Sequence, residues 1–231
     1  MTSGEKMRHP AGLYILFFTE MWERFSYYGM RALLVYYMMK QLDFSQPKSS
    51  SIYGLYTGFV YFTPFFGGII ADRWLGQRKT VIVGAVLMAI GHFLMAFQSM
   101  FYLALFVLIL GNGAFKPNIS TQVGNLYAPG DHRRDRAYGI FYMGINLGAF
   151  FSPLICGTLG ETFGWHYGFG AAGVGMVAGL IIYLWGGKYL ADDELMKKAA
   201  GEIPKENPPV TREEYSRIGA LVVLMLFVIV L

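Results

Sequence analysis

The chain has 231 residues, 55% of them hydrophobic and only 15% charged, against about 25% charged in a typical soluble protein. With a mean hydropathy of +0.40 and apolar blocks near the ~20 residues that cross a bilayer, this excludes a soluble globular enzyme. The net charge of +4 is spread over loops between those blocks, so it reads as a membrane-topology signal and no nucleic-acid partner is expected.

In chain order, apolar periodicity predicts spans over 13–39, 52–71, 80–97, 101–127, 137–159 and 167–187. Lys6 and Arg8 precede the first, but Glu20, Glu23 and Arg24 interrupt it and no small-residue cleavage site follows, so it is expected to be an uncleaved span. The fourth carries Asn112, Lys116 and Pro117, and the proline is expected to kink it with the freed carbonyl satisfied by protein or water. Cys156, the one cysteine, can form no intrachain disulfide and reads as a small apolar group in the fifth. Gly144 and Gly148 form a small-xxx-small pair whose simplest use is a contact between helices of this chain.

After the sixth span comes a polar stretch rich in charge and proline, with a short amphipathic helix expected around 191–200. Residues 218–231 are apolar but few for a span. The expected organisation is therefore a six-helix bundle over 1–187, a cytoplasmic linker over 188–217, and the start of a truncated seventh helix over 218–231. If the N-terminus is cytoplasmic, Lys6, Arg8, Arg73, Arg78, Lys79, Arg133, Arg134, Arg136, Lys188 and the linker's basic residues share its side, while only Lys40 and Lys48 lie opposite. That asymmetry favours an inside N-terminus.

The first span holds the chemistry. An ionised group in hydrocarbon costs several kcal/mol unless it faces a bundle interior or an aqueous cavity. At 100° per residue, Glu20 and Arg24 are about 40° apart and Arg24 and Arg31 about 20°; Tyr27 and Tyr28 straddle that face. Glu23 projects about 100° from Arg24, so it could instead contact another helix. Lys116 on the fourth span needs water or an acidic partner, which Glu20 or Glu23 can supply. Protonating that acid would weaken the pair and offers a proton-coupled gate; a permanent structural salt bridge is the alternative. Tyr27, Tyr28, Tyr61 and Asn146 have ordinary readings as interhelical hydrogen-bonding groups. His92, in an apolar run, reads as a packed, locally hydrogen-bonded side chain.

Residues 68–78, with Gly68, Asp72, Arg73, Gly76 and Arg78, read as a loop between the second and third spans. Asp72 with Arg73 or Arg78 is expected to clamp the adjacent helix ends and to release as bundles rock; a purely structural loop is the alternative. Its Gly-x-x-x-Asp-Arg-x-x-Gly-x-Arg spacing resembles the corresponding loop of major facilitator transporters.

Taken together, Glu20-x-x-Glu23-Arg24-Phe25-x-Tyr27-Tyr28, the Asp72 loop, Phe115-Lys116-Pro117-Asn118 and Phe141-Tyr142-Met143-Gly144-Ile145-Asn146-Leu147-Gly148 resemble the proton-dependent oligopeptide transporter family. The resemblance implies an all-α polytopic membrane protein, the N-terminal six-helix bundle of a major facilitator-type transporter, lacking its C-terminal bundle. It further implies symport of di- and tripeptides across the plasma membrane, with protons as the coupling ion, no other cofactor, no metal and no enzymatic activity. By the same resemblance Arg24, Arg31 and Lys116 form a positive region for the peptide carboxylate. Glu20 and Glu23 belong to the proton-linked network, Tyr28, Tyr61 and Asn146 line the substrate cavity, and Tyr27 supports it. A carrier of another small anionic or amphoteric solute, or a nontransporting scaffold half-bundle among membrane lipids, remains open.

Overall fold

The computed structural model describes residues 8–193, 197, 201, 211–217, 219, 220 and 223. The chain divides into two units, Met1–Met196 and Lys197–Leu231.

The described part of the first unit consists of helices α1 (Ala11–Lys40), α2 (Gln46–Ile70), α3 (Gln77–Leu94), α4 (Phe101–Asn125), α5 (Arg133–Ser152), α6 (Thr158–Thr162) and α7 (Trp165–Gly186). A π turn at Pro153–Gly157 joins α5 to α6 in one rod, so the six expected spans appear as six rods. Four are long and apolar enough to cross a membrane. The other two are α1, which carries Glu20, Glu23 and Arg24, and α3, which has 18 residues and opens on Gln77-Arg78-Lys79. No strand occurs among the described residues, and the chain is an all-α membrane protein.

Local chemistry accounts for the rods. Pro10 sits at the N-cap of α1 and Lys40 in its last turn, where a cation suits the helix dipole. Pro47 occupies the first turn of α2, where its missing N–H costs nothing. Pro117 lies inside α4 and withholds a donor from the Gly113 carbonyl. Pro153 does the same to Ala149, whose carbonyl instead accepts from Ser152 Oγ at 3.2 Å.

Side by side, the rods run α2, α4, α3, α7, α1, α5. Leu33, Met88, Phe115 and Phe169, from four different helices, are almost fully buried in one core. Glycine allows the closest approaches. A Cβ on Gly67 would stand 1.9 Å from the Gly113 carbonyl oxygen, and one on Gly148 would stand 2.2 Å from that of Met21. The Gly144/Gly148 pair thus packs α5 on α1 within this chain, as its spacing suggests.

Two expectations change. The stretch 68–78 is mostly helix: Gly68 belongs to α2, Ala71–Leu75 continues as a π turn, and the break comes at Gly76 with φ +79°. The helix persists because each backbone donor keeps an internal acceptor, down to the Gly76 N–H on Ala71 at 2.9 Å. His92 is fully buried, yet neither ring nitrogen has a hydrogen-bond partner among the described residues; it is packed rather than locally bonded.

At one end of the bundle the polar groups tie segments together. Arg133 grips Asp131 through Nη2 at 2.6 Å and donates to the Arg8 carbonyl at 2.9 Å. Hydrogen bonds from the Arg133 side chain and backbone N–H pull the Asp131 carboxyl down to about 2. His9 Nδ1 lies 2.8 Å from the Tyr127 hydroxyl.

In the second unit residues 212–217 are helical. Thr211 and Glu214 form a capping box: the Thr211 N–H donates to the Glu214 carboxylate at 2.7 Å, and the Glu214 N–H to Thr211 Oγ1 at 3.3 Å. Residues 191–193 are not helical. The rest of the amphipathic helix expected over 191–200, and most of the linker and seventh helix, lie outside the described residues.

Candidate functional site

The fold places α1 between α5 and α7 with one face against α4, which turns the charged stripe of α1 into the bundle. Glu20, Glu23 and Arg24 are 3%, 0% and 4% exposed, so they must satisfy one another. Arg24 Nε meets Glu20 Oε1 at 3.1 Å and also donates to Glu23 Oε2. From its angular position Glu23 could contact another helix. Instead its carboxylate folds back to its neighbour, because the long arginine side chain carries the guanidinium over the intervening 100°. Glu20 Oε2, Glu23 Oε1 and Arg24 Nη2 have no hydrogen-bond partner among the described residues. Each of the three side chains thus keeps one polar atom unpaired inside the bundle.

Lys116 on α4 is half-buried, and its Nζ stands 4.7 Å over the Tyr61 ring, a cation–π contact. Arg24 has taken both acidic partners that were expected for it. The ammonium stays within electrostatic reach of Glu20, Glu23 and Arg24, so one more proton on the cluster alters the potential it feels.

Towards the other end of α1 the arrangement becomes open. Tyr27 is buried, its ring 5.2 Å from the Arg24 guanidinium and 6.0 Å from that of Arg31. Tyr28 is half-buried and meets the Tyr27 ring edge to face at 5.3 Å. Arg31 donates from Nε to the Tyr53 hydroxyl and lies over the Tyr53 ring at 5.3 Å. Tyr28, Arg31, Tyr53, Ala149 and Pro153 line a cavity of about 340 Å³. Tyr53 was missed in the sequence; its only signal was a second tyrosine just over two turns ahead of Tyr61. Tyr61 is 62% exposed. Asn146 is also exposed and donates to the Tyr142 carbonyl at 3.0 Å, a bond within α5 rather than between helices.

Around the expected clamp, Arg78 also ties in a second segment. Asp72 and Arg73 are exposed on the π turn. Arg78 reaches the segment that follows α7: its Nη2 donates to the Gly187 carbonyl at 2.5 Å, its Nη1 to Asp192 at 3.4 Å, and its backbone N–H to Asp193 at 3.3 Å. Asp193 is 3% exposed, and a Cβ on Gly76 would come within 2.6 Å of its carboxylate. The carboxylate thus seats on the N-terminus of α3, where backbone donors and the helix dipole favour it. Gly76 is required twice, for its left-handed φ and for that approach.

A profile described as the POT family matches residues 78–229. The chain is 47% identical over 183 residues to the uncharacterized transporter YclF of Bacillus subtilis, covering 76% of this chain and 37% of that protein. It is 44% identical over 187 residues to a di-/tripeptide transporter of Lactococcus lactis, covering 77% of this chain and 38% of that one. Among solved structures, a peptide transporter POT in complex with sulfate superposes with a TM-score of 0.76 at 39% identity, covering 98% of this chain and 46% of that one. A POT family transporter in complex with 5-aminolevulinic acid gives 0.76 at 36% identity, with 98% and 46% coverage. The chain spans less than half the length of these relatives.

Proposed function

Because the chain belongs to the POT family, we propose that it is one helical bundle of a symporter that carries di- and tripeptides into the cell down a proton gradient. The observation that carries this reading is the buried Glu20–Glu23–Arg24 cluster beside an open pocket holding Arg31. The POT name of its relatives adds support. In the proposed cycle Glu20 and Glu23 share one guanidinium, and a proton arriving on either acid loosens its hold. Arg24 Nη2, Arg31 and Lys116 then present positive charge to the peptide's carboxylate. Tyr28, Tyr61 and Asn146 hydrogen-bond its backbone, Tyr27 supports them, and variable side chains occupy the roomier, hydrated part of the pocket.

Alternating access needs a second bundle, supplied by the C-terminal part of the whole protein. Protons are the coupling ion and no other cofactor takes part. The basic loops favour a cytoplasmic N-terminus, and the proposed location is the plasma membrane, among its lipids.

The test is uptake by the whole protein in liposomes, offering a dipeptide, a single amino acid and nitrate with and without an inward proton gradient. Gradient-driven dipeptide uptake is expected. Gradient-driven uptake of the amino acid or nitrate alone would instead assign a small amphoteric or anionic solute, and no driven uptake of any of them would leave a scaffold. Lys116→Ala is expected to cut driven uptake by roughly tenfold or more, about 1.4 kcal/mol in the transition state, while gradient-free dipeptide exchange persists. Unchanged driven uptake rejects the role given to Lys116. Tyr53→Phe releases Arg31 from a charge-assisted bond worth ~1.5 kcal/mol. It is expected to raise the dipeptide KM about tenfold with maximal rate little changed; an unaltered KM removes Tyr53 from the site.

A further inference from the structure

A groove on the outer surface of the first unit has features the transport pathway does not use. α5 and α7 pack on opposite flanks of α1 and meet chiefly at one end, through the Pro153–Gly157 turn and α6. Where they diverge, α1 is left uncovered between them. A cavity of about 460 Å³ opens there, lined by apolar residues that include Met21, Trp22, Phe25, Leu147, Phe151 and Val174. Its floor continues along α1 as Phe18 and Tyr14, 45% and 50% exposed. Tyr14, Phe18 and Phe25 fall within about 40° of one another on the helix, so the floor is one straight stripe.

The register of the packing shows what stands at its open end. Gly144 of α5 lies against Phe17 of α1, and Gly148 against Met21. The same parallel offset carried back along α5 sets Arg136 beside the His9-Pro10 step. On α7, Gly175 lies against Phe25, Gly186 against Ile15, and the Tyr189 carbonyl against Gly12, which sets Lys188 beside the first turn of α1. Both basic residues are exposed, and neither forms an ion pair among the described residues. Arg136 is about 20° from Leu147 around α5 and roughly 16 Å along it, so it faces the groove. That distance is about half of a ~30 Å hydrocarbon core, one leaflet deep.

We propose that this groove binds one anionic phospholipid, with an acyl chain along the Tyr14–Phe18–Phe25 floor and the headgroup phosphate between Arg136 and Lys188. The apolar cavity lies at the depth a chain reaches, and the two cations lie at the depth of its phosphate. A zwitterionic headgroup places its own cation near the same two charges and is disfavoured.

Native mass spectrometry of the whole transporter with equal amounts of dioleoyl phosphatidylglycerol and dioleoyl phosphatidylcholine tests the assignment without reading transport. The wild-type protein is expected to retain phosphatidylglycerol several-fold over phosphatidylcholine. Arg136→Gln with Lys188→Gln should bring the two near equality, and Val174→Trp, which fills the cavity, should lower retention of both, all at an unchanged unfolding temperature. Equal retention by the wild type overturns the proposal. So does a preference that survives both variants, the result expected if further helices of the whole protein cover the groove.

Discussion

Replacing Arg24 by Ala in the whole transporter is expected to lower gradient-driven dipeptide uptake by more than about a hundredfold and to destabilise the protein. The guanidinium is the hydrogen-bonded cation of two carboxylates that are 3% and 0% exposed. Removing one member of a buried ion pair costs roughly 3–5 kcal/mol, because the remaining charge keeps its desolvation penalty without its partner. Two effects are mixed in that single variant, and a second separates them. Changing Glu20 and Glu23 to Gln together with Arg24→Met removes every charge at similar volume, and should return the unfolding temperature close to the wild-type value. Driven uptake should remain absent, since no acid is left to take the proton. Uptake by Arg24→Ala within twofold of wild type, or uptake regained by the neutral triple variant, would remove the cluster from the coupling mechanism.

Gly67→Leu is expected to be the most damaging change away from the charged groups. The Gly67 backbone lies over the Gly113 carbonyl, the one that Pro117 leaves without its helical donor, and Asn118 Nδ2 donates to the Gly67 carbonyl at 3.3 Å. A Cβ would meet that Gly113 oxygen at 1.9 Å. Because the obstacle is backbone, no rotamer change relieves it, and α2 and α4 must separate. Overpacking costs about 1–3 kcal/mol and sometimes more, so an apparent Tm lower by about 5–10 °C is expected. Gly58→Leu on the same helix faces open space and serves as the control. Equal melting of the two variants would show that the α2–α4 contact has slack.

Much of the architecture could be read from apolar runs, since a bilayer demands long helices with internally satisfied backbones. Every rod but α4 begins a few residues before its run for a physical reason. Hydropathy marks where hydrocarbon starts, whereas a helix continues into water as long as its terminal groups find partners. Thus α5 starts at Arg133, four residues before the apolar run, with the Arg133 N–H on Asp131 at 2.9 Å. The stretch 68–78 looked like a loop because it mixes glycine with charge, but only Gly76 needs a backbone angle that helix cannot supply.

Within the site, the stripe joining Glu20, Arg24 and Arg31 followed from 3.6-residue periodicity. What angular position could not supply was reach. Glu23 stands off that stripe yet shares the guanidinium, and Lys116 gives up its acid to Arg24 and rests on Tyr61 instead. The partnership of Arg31 with Tyr53 joins two helices 22 residues apart in sequence, and no pattern within either helix marks it. Arg78 grips a segment more than a hundred residues later, at Gly187 and Asp192, a contact that depends on which helix ends the bundle brings together.

That last contact decides what the end of α7 is tied to. The segment beyond α7 is not hung from α7 alone, since its buried Asp193 is seated on the first turn of α3 and its Gly187 is held by Arg78. The segment is thus fastened at the start of α3, next to Gly76, the one left-handed joint between α2 and α3. On the other side of that joint lies α2, the helix that carries Tyr53 and Tyr61. The end of the last rod and the wall of the Arg31 pocket therefore meet at a single glycine, so a change there touches both.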